Sequence, residues 1–65
     1  MTDSELITAL QAIHDDETWF DIAARWDAGW RAVYDKGGEY PKEFTYAPSL
    51  REAMEWLIKT HKEKD

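Results

Sequence analysis

The sequence predicts a small α+β domain in which two helices and a three-stranded antiparallel sheet follow the order α-β-β-β-α. Three observations carry that expectation. Apolar residues recur at helical spacing near both ends of the chain, apolar and polar residues alternate through 19–35, and a strand-like run at 43–47 leads into the last helix. At 65 residues there is room for a single domain, residues 1–65, which buries a smaller share of its surface than a larger chain does.

The first helix is marked by Leu6, Ile7, Leu10 and Ile13, which fall at i, i+1, i+4 and i+7 and form one apolar stripe. Thr2 with Glu5 makes a capping box at its start. The run Asp15-Asp16-Glu17 sets negative charge against the C-terminal end of the helix dipole, so the helix is expected to stop near His14.

The middle of the chain reads in two ways. As a helix, Trp19, Ile22, Ala23, Trp26, Trp30 and Val33 gather within roughly 100° of one another, Gly37 is the stop, and the protein is a three-helix bundle. As strands, Phe20, Ile22, Ala24 and Trp26 alternate with polar residues, and so do Trp30, Ala32 and Tyr34. Asp27-Ala28-Gly29 is then a three-residue hairpin loop. That register pairs Trp26 with Trp30 and Ile22 with Tyr34, and it opposes Arg25 to Arg31 and Asp21 to Asp35, which is unfavourable. The strand reading is preferred for two reasons. The helical one leaves 37–48 as a long structureless connection, and it places Gly29 mid-helix at a penalty of about 1 kcal/mol relative to Ala. Gly37-Gly38 is then a turn, and Glu43-Phe44-Thr45-Tyr46-Ala47 is the third strand.

Ser49 and Glu52 form a second capping pair ahead of Leu50, Ala53, Met54, Leu57 and Ile58, which sets the last helix at Ser49 to Lys62. Arg51, Glu55, Lys59 and Lys62 face water. Of the four Trp residues, Trp26, Trp30 and Trp56 are expected inside, whereas Trp19 points outward with Asp21.

Charge divides the chain. The net charge is −6, and residues 1–24 hold Asp3, Glu5, Asp15, Asp16, Glu17 and Asp21 with no Lys or Arg, while from Arg25 onward the signs balance. Direct nucleic-acid binding is disfavoured, because phosphates demand a basic footprint. A basic protein surface is the expected partner, and a monomer the expected state. No Cys is present, which excludes disulfides and thiolate zinc sites and fits a reducing cytoplasm. The acidic start and the lack of a long apolar run give no export signal and no membrane span. His14 and His61 lack ligand partners at workable spacing, so no metal or cofactor is expected. Ser4 and Ser49 read as helix-start residues, no nucleophile elbow or phosphate loop is present, and no enzyme is expected.

Two resemblances follow from these residues. The stretch Glu43-Phe44-Thr45-Tyr46-Ala47-Pro48-Ser49-Leu50-Arg51-Glu52, a strand feeding a capped helix, resembles the end of the small phage head-completion proteins, which implies a role in virion assembly. In size, acidity and lack of catalytic motifs the chain resembles the small anti-defence inhibitors of phages and mobile elements, the anti-CRISPR and anti-restriction proteins. The implied mechanism is mimicry of DNA charge, with Asp15, Asp16, Glu17, Asp21, Asp27, Asp35 and Glu39 as the acidic track and Trp19 as the apolar anchor. Alternate strand residues stand ~6.7 Å apart, about two steps of the ~3.4 Å phosphate spacing, so Asp21 and Asp27 are expected on one such face. Arg25 and Arg31 interrupt it.

Overall fold

The computed structural model describes residues 1–27 and 29–64. Its elements are α1 (Asp3–Asp15), β1 (Trp19–Arg25), β2 (Gly29–Asp35), β3 (Glu43–Ala47) and α2 (Leu50–Lys64). The α-β-β-β-α order is the expected one, and the helical alternative for 18–36 is excluded.

Both helix starts are built as their sequences predict. Thr2 Oγ1 accepts from Glu5 N (3.2 Å), and Thr2 N donates to Glu5 Oε1 (2.8 Å). Ser49 Oγ accepts from Glu52 N (3.2 Å). Arg51 ties the two starts together, donating to the Met1 carbonyl (2.8 Å) and pairing with Asp3. At the other end of α1 the chain turns sharply through Glu17, a non-glycine residue at φ 59°, a backbone region that L-residues adopt at a penalty.

The sheet is antiparallel in the order β1-β2-β3, so both outer strands are edges. The hairpin register differs from the expected one by two residues. Arg25 pairs with Gly29, Ala24 with Trp30, Ala23 with Arg31, Ile22 with Ala32, Asp21 with Val33, Phe20 with Tyr34 and Trp19 with Asp35. The shift is even, so every side chain that remains within the two strands keeps its predicted face. It also separates the like-charged pairs Arg25/Arg31 and Asp21/Asp35 and sets Tyr34 across from Phe20. Gly29 is the first residue of β2 rather than the last of the loop, and the loop's Ala28 lies outside the described residues. Trp26 leaves the strand for the turn and is 99 % exposed, not interior.

Both helices lie on one side of the sheet. α2 runs against β2 and β3, while α1 rests on α2 and β1. The core between the layers comprises Leu6 and Ile13 of α1, Ala32 and Tyr34 of β2, Ala47, and Ala53, Leu57 and Ile58 of α2, with Phe20, Ile22, Trp30 and Trp56 packed around it. Ile7, placed on the stripe by its spacing, is instead exposed, because its neighbour Leu6 takes the central position. The shortest dimension of the Cα trace is 16 Å, so the molecule is one helical layer on one sheet.

Gly29 sits at φ 79°, and a Cβ there would stand 2.5 Å from the Ala47 carbonyl oxygen. Gly29→Ala is therefore expected to lower the unfolding free energy by more than ~2 kcal/mol, while Glu17→Gly raises it by about 0.5 kcal/mol as relief of the left-handed backbone outweighs the added chain entropy. Urea titration reads both. The Thr2 backbone N–H, and secondarily its hydroxyl, hold the Glu5 carboxyl below its usual 4.5. The stability from this box is present above that value and lost as pH falls through the lowered one, so Glu5→Gln flattens the acid limb of a melting-temperature profile.

Candidate interaction surface

The helices leave the other face of the sheet open. Trp19, Asp21, Ala23 and Arg25 reach it from β1, Arg31, Val33 and Asp35 from β2, and Phe44 and Tyr46 from β3, as the register requires. Trp19 (54 %), Phe44 (62 %) and Tyr46 (50 %) are exposed well beyond what a core aromatic shows. Together with Asp21, Arg31, Val33 and Lys42 they line a shallow groove of about 290 Å³. Val33 forms the floor and is only 8 % exposed despite having no helix above it. Phe44 and Tyr46 meet edge to face at 6.0 Å, and the Lys42 ammonium lies 5.8 Å from the centre of the Trp19 ring. The Arg31 side chain forms no hydrogen bond or ion pair with any described residue, and its Nε is shielded from solvent without an acceptor.

The acidic residues singled out from the sequence divide between the two ends of the sheet. Asp15 ends α1, Asp16 and Glu17 form the exposed turn into β1, and Asp35 pairs with Trp19 beside it. Asp21 is half-buried in the groove, and Glu39 is exposed in the connection that follows β2. Asp27 is not on the strand face but in the far hairpin turn beside Trp26, so it is parted from the others by the length of β1. Three of the near group already have partners within the chain: Asp15 Oδ1 accepts from Gln11 Nε2 (3.2 Å) and lies 3.4 Å from His14 Nδ1. Asp35 Oδ1 accepts from Gly37 N (3.0 Å), fixing the turn after β2, and Asp16 Oδ2 lies 3.1 Å from His61 Nε2.

That last contact belongs to a network with no signal in the sequence. The ring of Tyr34 is fully buried, and its hydroxyl stands 2.7 Å from His61 Nδ1. Asp16, His61 and Tyr34 thus link the end of α1, the last turns of α2 and the middle of the sheet. The spacing 16, 34, 61 has no local pattern, and only the fold brings the three together. The burial of the Tyr34 ring makes this a structural network.

A second cluster fixes the connection between β2 and β3. Lys64 Nζ contacts Glu43 Oε2 at 2.6 Å, an ion pair that leaves the oxygen without a well-directed hydrogen bond. The Glu43 carboxylate holds the Lys64 ammonium above its usual value. Lys36 Nζ donates to the Lys64 carbonyl (3.2 Å), and both ammonium groups lie near the Tyr40 ring, at 5.2 and 5.8 Å. Among the described residues no three His, Cys, Asp or Glu side chains gather as a metal site, and no helix is long and apolar enough to cross a membrane. No family model, curated protein or solved structure matches the chain.

Tyr34→Phe strips His61 Nδ1 of its partner and is expected to lower stability by about 1–2 kcal/mol, with His61→Ala lowering it further because both contacts go. Trp19→Ser, Phe44→Ser and Tyr46→Ser, whose side chains already meet water, should each change it by less than ~1 kcal/mol. Chemical denaturation of the five variants separates the network that holds the fold from the face that is free to bind.

Proposed function

We propose that this chain works by binding rather than catalysis, as a small anti-defence inhibitor of the kind phages and mobile elements make. In this reading it occupies the basic DNA-binding surface of a host defence complex in the host cytoplasm, a CRISPR effector being one such complex. The observation that carries the reading is the open sheet face, where Trp19, Phe44 and Tyr46 are half or more exposed around Val33 and Arg31. Trp, Tyr and Arg are the side chains that most often dominate interface energetics. Beside this face, Asp15, Asp16, Glu17 and Asp35 supply negative charge that attracts a basic surface over distance and raises the association rate.

The geometry alters the mimicry itself. Asp27 stands apart, and Arg31 and Lys42 break the acidic face, so continuous imitation of a phosphate track gives way to an apolar contact flanked by an acidic turn. The aromatic face also favours a second reading, virion assembly, since apolar contacts persist at high salt.

Capture of partners from a host lysate at low and high salt, with and without duplex DNA, tests these readings. An anti-defence inhibitor should bring down a nucleic-acid-binding complex, compete with DNA and weaken as salt rises. Replacing Asp15, Glu17 and Asp21 by Lys should reduce its binding at least tenfold, on the order of the effect of reversing close interfacial charges. Asp16 is spared in this variant because it pairs with His61. Unweakened binding by the triple variant, or binding alongside DNA without competition, rejects the mimicry. Salt-resistant recovery of capsid or tail components instead establishes the assembly role.

A further inference from the structure

We infer that the groove on the open sheet face is a receptor for a carboxylate carried on an apolar segment of a partner protein, with Arg31 as its anchor. The inference rests on the open face being the docking surface, and it names the chemistry read at its centre. That chemistry is opposite in sign to what the acidic turn prefers.

Arg31 stands on the central strand, across from Tyr46 on one side and Ala23 on the other. Its Nε is walled off from solvent with no acceptor, and the side chain makes no ion pair with a described residue. A guanidinium whose donors are partly desolvated and unmatched has lost hydration without compensation. A carboxylate fits its fork bidentately, in a charge-assisted geometry that a neutral amide does not reproduce. Lys42 supplies a second cation to the same groove, held against the Trp19 ring. Apart from Asp21 the remaining walls are apolar, so the carboxylate must arrive with apolar neighbours that cover Val33 and rest on Trp19, Phe44 and Tyr46.

Charge decides between a protein segment and a single-stranded nucleic acid, which could also stack on these rings. Asp21 lines the groove, Asp35 stands at its end and the chain as a whole carries −6. A polyphosphate strand would have to run past both carboxylates, whereas a lone carboxylate faces the two cations Arg31 and Lys42 against the single like charge of Asp21. Protein segments present such isolated charges and nucleic-acid backbones do not.

The test uses an acetylated, amidated Leu-Phe-Glu-Leu peptide, its Gln counterpart and a single-stranded thymidine octamer as probes. Heteronuclear NMR follows the Arg31 side-chain Nε–H and the Trp19 indole N–H. The Glu peptide should shift both signals saturably, and the Gln peptide should bind at least about tenfold more weakly, the loss of one charge-assisted pair. Arg31→Gln should erase the difference between the peptides. If that variant fails to fold, the two peptides on the parent protein decide. Equal binding of Glu and Gln peptides keeps the open face as a docking surface and overturns the carboxylate receptor. No shift with any probe overturns both. Tighter binding of the thymidine octamer than of the Glu peptide makes the face a nucleic-acid platform and overturns the inference.

Discussion

Tyr34 is the side chain around which this small fold is organised. Its ring fills the space between the sheet and the helices, and its hydroxyl must find a partner there, because an unmatched polar group in the interior is expensive. His61 provides it and is itself held by Asp16. The demand of one buried oxygen thereby fixes the approach of α2 to the sheet and the point at which α1 ends. Asp16, which the α1 dipole alone would disfavour, gains a compensating partner in the same contact. A chain of this length has few other ways to lock three elements with three side chains.

With the helices committed to one side, the sheet has a dry face and a wet one. The dry face takes small residues, Ala32 and Ala47, where α2 approaches. The wet face is where the chain places more aromatic surface than its stability requires. Trp19, Phe44 and Tyr46 contribute little to the core, and natural surfaces seldom gather such residues without an interaction to serve. The charges separate as well. Negative groups collect on the turn entering β1, whereas Arg31, a cation whose side chain is unmatched among the described residues, lies at the centre of the open face. A surface of this kind selects partners by a pattern of both signs rather than by net charge.

Much of the fold was legible from sequence because its signals are local. Capping boxes, helical stripes and the alternation of 19–35 each act within a few residues, and β3 lies where the strand reading of the middle placed it. The hairpin register was not legible, because a two-residue shift preserves alternation and the choice rests on contacts across strands. The loss of Trp26 from the interior follows from that shift. Of the site, Trp19 was visible as an aromatic pointing away from the core. Phe44 and Tyr46 were read as strand residues without a face, since only the pairing of β3 with β2 sets them beside Trp19. Arg31 was seen merely as an interruption of negative charge. That it stands unmatched is a property of its surroundings, which no spacing encodes.

The sheet has three strands and therefore a single one, β2, with neighbours on both sides. Its amides are bonded across two ladders and covered from one side by α2, so they belong to the last part of the molecule to open and should exchange their hydrogens most slowly. Arg31 and Val33 ride on that strand. Trp19 belongs to one edge and Phe44 and Tyr46 to the other, and edge strands fray at far less free energy. The open face thus has a stiff spine and two yielding margins, a construction that lets the rings swing to suit an arriving surface while the charge at the centre stays where it is.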